Sequence, residues 1–168
     1  MREIVLDTET TGLSPDDPSH SGGRHRIIEI GCVELINHIP TGEVRHIYVN
    51  PGRDVPEEAV RVHGLTASFL KDYPPIGDAW PDFLDFIADS TLVIHNAPFD
   101  MRFLNAEMTW AGRPPLANAV VDTLAMARKR YPGAQASLDA LCRRFGVDAS
   151  ARTAHGALID SELLAAVY

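Results

Sequence analysis

Two acidic residues directly follow an apolar run near the start of the chain. The run, Ile4 to Leu6, leads into Asp7 and then Glu9, and a β-branched, apolar segment of this kind is typical of a buried strand. Because side chains alternate along a strand, Asp7 and Glu9 point to the same face. Two neighbouring carboxylates at the end of a buried strand repel each other and lose hydration, so the pair needs a compensating charge.

A divalent cation is the simplest source of that charge. No Lys or Arg lies between Glu3 and Asp17, and Mg²⁺ and Mn²⁺ prefer carboxylate oxygen ligands. The alternative is a pair of solvated acids at a strand end. The Asp-x-Glu spacing alone does not separate these two interpretations.

Composition narrows the class of protein. A chain of 168 residues that is 45% hydrophobic fits one domain, 1–168, with a real core. Two cysteines, Cys32 and Cys142, argue against a disulfide framework and suit a reducing compartment. The N-terminus does not resemble a signal peptide, and no apolar stretch approaches the roughly 20 residues that a membrane span needs. We therefore expect a cytoplasmic protein with no membrane contact.

Net charge limits how such a chain could hold a nucleic acid. The formal charge is −8 at pH 7, whereas non-specific binding to long duplex DNA usually requires a basic surface. If the protein handles nucleic acid, it should hold only a few nucleotides, through metal ions and a pocket. Tighter attachment would then come from a partner.

Hydrophobic periodicity predicts an α/β fold. Strand patterns at 27–36 and 43–50, with turn signals between them, extend the first strand into an antiparallel meander. A loop is expected at 13–26, and two shorter strands follow at 91–95 and 119–121. The predicted helices cover 55–62, 76–87, 98–111, 122–130, 137–145 and 156–168. The expected architecture is one mixed five-stranded sheet with helices on its faces.

Three more residues are candidates to join the first acids. Asp100 falls in the first turn of a predicted helix, where its alternative role is to complement the helix dipole. His155 and Asp160 are five residues apart, a rotation of about 140° on a helix, so they cannot share one helical face. If Asp160 lies on the last helix, His155 should precede it on a loop. In isolation, His155 is more simply interpreted as an ordinary surface histidine.

Three segments together resemble the motifs of the DEDDh 3′–5′ exonuclease superfamily. They are Asp7–Gly12, His95–Asp100 and His155–Asp160. Within that superfamily, the chain is similar to the proofreading subunits of bacterial DNA polymerase III, from its first residues to Tyr168. The resemblance implies an RNase H-like fold and hydrolysis of nucleotides from a DNA 3′ end.

The resemblance also implies roles for individual residues. Asp7, Glu9, Asp100 and Asp160 match the family's metal-binding acids, which hold two divalent ions, Mg²⁺ or Mn²⁺, roughly 3.5–4 Å apart. His155 matches the general base, a task that suits histidine because its ordinary pKa of about 6.5 lies close to neutral.

Another group of residues matches positions that contact the terminal nucleotide. Glu58 and His63 are the main candidates, and Thr10 is a weaker one. Asp7, Glu9 and Asp160 are expected to touch substrate as well as metal. The apolar residues expected to wedge against the terminal base are Leu13, Val62 and Phe99. Such wedging would favour frayed ends, because unpairing costs less at a mismatch.

The same resemblance bears on partners. Relatives of this kind continue into a clamp-binding peptide and a tail that tethers the polymerase, which implies the alpha subunit and the sliding clamp as partners. No such peptide is visible before Tyr168. We expect a catalytic domain trimmed of its tail, the alternative being a protein that works untethered.

Two other functions stay open on the sequence alone. One is a stand-alone DEDDh exonuclease that trims short single-stranded DNA or RNA. The scissile phosphate is common to both nucleic acids, and contacts to the 2′-hydroxyl decide between them. The other is a docking module without activity, which predicts the loss of an acid or of the histidine; all of these residues are present.

Overall fold

The computed structural model describes residues 1–16 and 24–168. Its five strands are β1 (Arg2–Thr10), β2 (Ile27–Ile36), β3 (Ile39–Tyr48), β4 (Thr91–Ile94) and β5 (Val120–Asp122). They form one sheet in the order β3-β2-β1-β4-β5. Strands β1, β2 and β3 pair antiparallel, whereas β4 pairs parallel with both β1 and β5. The predicted mixed five-stranded sheet is confirmed.

Seven helices accompany the sheet in the described part of the chain. They are α1 (Glu57–His63), α2 (Ala67–Leu70), α3 (Trp80–Ile87), α4 (Ala97–Trp110), α5 (Thr123–Arg130), α6 (Leu138–Phe145) and α7 (Ala157–Val167). A short 3₁₀ turn, Ile76–Asp78, precedes α3. None of these helices is long and apolar enough to cross a membrane.

Alternation along β1 sends its side chains into two different cores. Ile4 and Leu6 belong to a cluster that includes Phe83 of α3 and Phe103 of α4. Val5 belongs to the cluster on the other face, with Leu164 of α7. Since residues two apart share a face, the odd-numbered acids that follow Val5 lie on the side covered by α7.

The β2–β3 hairpin differs from its prediction. Asn37 and His38 both have positive φ, +50° and +66°, and alone form the turn, as expected for a two-residue hairpin loop. Strand β3 therefore begins at Ile39, and the predicted start at 43 was wrong. Gly42, with φ of +91°, lies inside β3 at a register irregularity rather than in the turn.

The predicted helix 76–87 was also wrong as a single element. It is divided into the 3₁₀ turn and α3, with Pro81 in the first turn of the helix. Proline has no N–H to donate, so it is tolerated at a helix start but not in the interior. Helix α2 was not predicted; it is one turn capped by the Thr66 side chain.

The remaining predicted helices and strands lie within two residues of the observed ones. Part of the predicted loop 13–26, residues 17–23, lies outside the described residues.

The last residue is joined to the first strand. Tyr168 follows α7, and its hydroxyl donates a 2.6 Å hydrogen bond to Oε2 of the buried Glu3 in β1. This bond lies at the start of β1, whereas Asp7 and Glu9 lie toward the other end of the strand.

Helix α7 lies directly on the backbone of β2. A Cβ atom added to Gly31 would come closer than 3.0 Å to the backbone of Ala157 and Leu158. The Ser161 hydroxyl donates to the Gly31 carbonyl at 3.0 Å. The absence of a side chain at Gly31 therefore sets how closely the start of α7 approaches the sheet.

Gly31→Ala should push α7 away from β2. We expect a loss of about 1–3 kcal/mol in the free energy of unfolding, the usual cost of overpacking, together with reduced activity because α7 carries Asp160. Urea denaturation measures the first effect. Gly77→Ala is the control, since a Cβ there meets nothing within 4 Å. Equal stability of the two variants would contradict the packing argument.

Candidate active site

The predicted acids converge from three distant parts of the chain. Asp7 and Glu9 lie on β1, Asp100 lies in the first turn of α4, and Asp160 lies in the first turn of α7. The Asp100 Oδ1 atom accepts hydrogen bonds from the Thr8 backbone N–H at 3.0 Å and from the Thr8 hydroxyl at 2.6 Å. These two bonds hold α4 against β1 between the two acids of the strand.

A buried glutamate positions the start of α7. Glu29 Oε1 accepts a 2.8 Å hydrogen bond from the Ala157 N–H, and its Oε2 lies 2.5 Å from His46 Nε2. A carboxylate at this end also complements the helix dipole. The site prediction did not include Glu29, although a glutamate between apolar residues in the first half of a predicted central strand was a usable signal.

Burial leaves the four acids poorly compensated. It raises the pKa of Asp7 well above its ordinary range, and the charges of Asp100 and Glu9 raise it further. Burial also raises the pKa of Glu9 to about 8, that of Asp100 to about 7, and that of Asp160 to a lesser degree. Carboxylates prefer to hold protons here because too little positive charge is present to stabilise their ionised forms.

This set of donors fits a divalent cation. Asp7 Oδ2 is buried and has no hydrogen-bond partner among the described residues. Ligand atoms of Glu9, His155 and Asp160 all lie within 4.8 Å of one another. Oxygen-rich, negatively charged sites of this kind suit Mg²⁺ or Mn²⁺.

His155 lies on the loop before α7, as its spacing from Asp160 predicted. Its backbone N–H donates to the Val62 carbonyl at 2.9 Å, and half of its side chain is exposed. Arg152 Nη2 lies 2.8 Å from His155 Nδ1 and also contacts Asp160. No role was predicted for Arg152 from the sequence, because an arginine in a polar loop usually faces solvent.

A pocket of about 400 Å³ adjoins the acids between β1, α1 and α4. Its walls include the predicted nucleotide contacts and the predicted apolar wedge: Glu9, Thr10, Leu13, Glu58, Val62, His63 and Phe99. Glu58 is exposed, whereas His63 is buried. Glu9 lines this pocket, whereas Asp7, His155 and Asp160 line a second cavity. Ligand atoms of Glu9 lie within 4.8 Å of those of His155 and Asp160, so the two cavities adjoin near Glu9 and are together called the cleft.

Hydrogen bonds to both ring nitrogens define the tautomer of His63. Its Nδ1 accepts from the Leu65 N–H at 3.0 Å, so Nε2 carries the proton and donates to the Thr10 carbonyl at 3.2 Å. Burial lowers the pKa of His63, which favours this neutral form. The ring ties α1 to β1 and helps to shape the pocket.

Without metal ions, the protein should become less stable as pH rises from about 4.5 to about 8. Across this window the folded protein keeps a proton on Glu9, whose pKa rises from 4.5 to about 8, while the unfolded chain releases it. The unfolded state then binds fewer protons, so the free energy of unfolding falls with pH. Glu9→Gln should weaken this dependence in urea denaturation with EDTA.

The matched control for this measurement is Glu57→Gln, whose side chain is 81% exposed. It should keep the wild-type slope. If Glu9→Gln kept the wild-type dependence of the free energy of unfolding on pH, Glu9 would not be the acid whose raised pKa causes that dependence.

Sequence and structure comparisons place the chain among known proteins. A family model described as Exonuclease matches residues 4–168. The DNA polymerase III subunit epsilon of Rickettsia typhi is 54% identical over 172 residues, which covers 100% of this chain and 72% of that protein.

Solved structures agree on the fold. Exonuclease X in complex with 5′ overhanging duplex DNA superposes with a TM-score of 0.75 at 27% identity, covering 98% of this chain and 87% of that one. The nuclease domain of 3′hExo, a DEDDh family member bound to rAMP, superposes with a TM-score of 0.82 at 19% identity, covering 99% of this chain and 88% of that one. The chain therefore belongs to the exonuclease family and, within it, to the epsilon subunits of DNA polymerase III.

Proposed function

We propose that residues 1–168 form a single 3′–5′ exodeoxyribonuclease domain that removes nucleotides from a DNA 3′ end during proofreading for DNA polymerase III. The observation that carries the proposal is the convergence of four acids beside a nucleotide-sized pocket. Glu9, Asp100 and Asp160 are each less than a tenth exposed, and a buried oxygen of Asp7 has no hydrogen-bond partner in residues 1–16 and 24–168. Such an arrangement is costly unless it serves a charged ligand.

Divalent metal ions are general in DEDDh exonucleases. In this chain we assign two ions, Mg²⁺ or Mn²⁺, to Asp7, Glu9, Asp100 and Asp160. When bound, such ions supply Lewis acidity that activates water and stabilises negative charge on the phosphate. The protein's own contribution is to hold the carboxylates in place, through the Thr8 bonds to Asp100 and the seating of α7 on Gly31.

His155 is assigned as the general base that takes a proton from the attacking water. Its loop position and half-exposed ring give it access to the cleft. Proton transfer by a positioned histidine contributes about 10²–10⁴-fold to a rate.

The pocket is assigned to the terminal nucleotide. Glu58 offers an exposed carboxylate to the sugar hydroxyl, and the neutral His63 together with Thr10 forms the pocket wall. Leu13 and Val62 are partly or largely exposed at its rim and are available to wedge against a base. Apolar contact of this kind does not distinguish bases, so selection for mismatched ends follows from the lower cost of unpairing them.

The proposed partners follow from charge and family together. A net charge of −8 gives this domain little attraction for duplex DNA. We therefore assign DNA affinity to partners, the DNA polymerase III alpha subunit and the sliding clamp, contacted by segments outside this domain. The Rickettsia typhi relative is longer than the matched region, which covers 72% of it.

Asp7→Ala should lower exonuclease turnover by at least about 10²-fold, as for loss of a major electrostatic contact in an active site. The fold should be as stable as the wild type or more stable without metal, because like-charge repulsion is removed. Release of 3′ nucleotides from a labelled single-stranded DNA and thermal unfolding are the two measurements. Asp72→Ala, at an exposed position, is the control. Full activity of Asp7→Ala would refute the metal assignment.

His155→Ala should lower the rate about 10²–10⁴-fold and leave Mn²⁺ binding intact in a calorimetric titration. His38→Asn is a suitable control, since His38 lies in the β2–β3 turn with a positive φ that asparagine tolerates. A pH–rate profile of His155→Ala with the wild-type shape would count against the role as base.

A further inference from the structure

Arg152 is a buried cation in the cleft that the proposed chemistry does not use. Its side chain is only 7% exposed. The guanidinium Nη2 donates to Asp160 Oδ2 at 2.9 Å, and Nε lies 2.7 Å from Oδ1 of the same carboxylate. Both oxygens of an acid assigned to the metal site therefore face a positive charge that the protein itself supplies.

The same guanidinium engages the assigned base. Arg152 Nη2 lies 2.8 Å from Nδ1 of His155. A guanidinium carries donors and no acceptor, so Nδ1 must accept, and the neutral ring then carries its proton on Nε2. With Nδ1 occupied and Nε2 protonated, the ring has no free lone pair with which to take a proton from water. The contact holds His155 in a form that cannot act as a base.

The Arg152 guanidinium also pairs with a carboxylate outside the assigned metal site. Arg152 Nη1 donates to Asp139 Oδ1 at 2.7 Å, and Asp139 is on α6 outside the assigned acids, with a side chain 53% exposed. Arg152 can thus give up Asp160 and His155 without becoming a buried, unpaired charge, which would be costly.

We propose that Arg152 is a latch that holds Asp160 and His155 while no metal ion is bound, and that metal binding at the acids releases both. The inference rests on the proposed function, because it takes the acids as metal ligands and His155 as the base. A cation that approaches Asp160 is repelled by the guanidinium and competes with it for the carboxylate. With a metal ion bound to Asp160 and Arg152 held by Asp139, Nδ1 of His155 would be free to carry the proton, and Nε2 would present its lone pair to water.

The first test measures binding of Mn²⁺ alone, without nucleic acid, by titration calorimetry on the full chain. Arg152→Met should bind Mn²⁺ at least about tenfold more tightly, because a positive charge a few ångström from the ion is removed. Its melting temperature without metal should be lower, because a buried Asp160 is left unpaired, and Mn²⁺ should raise that temperature more than in the wild type. Arg143→Met, an exposed arginine on α6, should behave as the wild type.

The outcomes separate the two proposals. If the wild type binds no Mn²⁺, the metal assignment fails and the latch fails with it. If the wild type binds Mn²⁺ and Arg152→Met binds it equally or more weakly, only the latch is wrong, and Arg152 instead supports the metal site.

A second measurement covers the case in which Arg152→Met does not fold. Nitrogen-15 NMR of the His155 ring should report the Nε2–H tautomer in the metal-free wild type and a shift toward the Nδ1–H tautomer on adding Mg²⁺. Arg152→Lys keeps the charge but lacks the planar set of donors that reaches both partners, so its metal-free ring should show both tautomers. A wild-type tautomer that Mg²⁺ does not change would overturn the latch.

Discussion

Burial of like charges at one end of β1 is the constraint that organises this molecule. A carboxylate removed from water strongly favours its neutral form, and each acidic neighbour increases that preference. Asp7, Glu9, Asp100 and Asp160 impose this cost together, as the raised pKa values of all four indicate. Contacts in the surrounding structure keep the four acids close together despite this electrostatic cost.

The means of holding them are simple and local. Thr8 has its own side chain on the opposite face of β1 from Asp7 and Glu9, and it binds Asp100 with both its backbone and its hydroxyl. Gly31 removes a side chain where α7 must approach, and Glu29 binds the first N–H of that helix. Strand β1 thus holds α4 on one face of the sheet and β2 holds α7 on the other, and the hydrophobic cores on those faces supply the free energy that keeps the acids in place.

Periodicity predicted part of this arrangement, and the convergence of the four acids was expected from the motif resemblance. The alternation of β1 placed Asp7 and Glu9 on one face, and the five-residue spacing placed His155 on a loop before α7. Elements whose ends depend on a single residue were predicted less well. The apolar stripe predicted one helix over 76–87, but Pro81 lies at the start of a separate helix, α3. The positive φ angles of Asn37 and His38 allow a two-residue turn between β2 and β3, which is shorter than the predicted one.

The part of the site that could not be predicted consists of contacts between distant residues. Glu29 lies 128 residues from the N–H that it binds, and no local pattern reports such a distance. Arg152 is close in sequence to His155 and Asp160, yet it also pairs with Asp139 on α6, a contact that no local pattern reports. Periodicity predicts which face of a helix or strand a side chain points to, but it does not predict which residue from another element that side chain contacts.

The bond between Tyr168 and Glu3 fixes where the two ends of the domain lie. Glu3 and Glu9 are six residues apart on one extended strand, a span of roughly 20 Å. Anything joined to the protein after Tyr168 would begin at the opposite end of β1 from the cleft. A segment attached there would be anchored away from the cleft and would leave the cleft unobstructed.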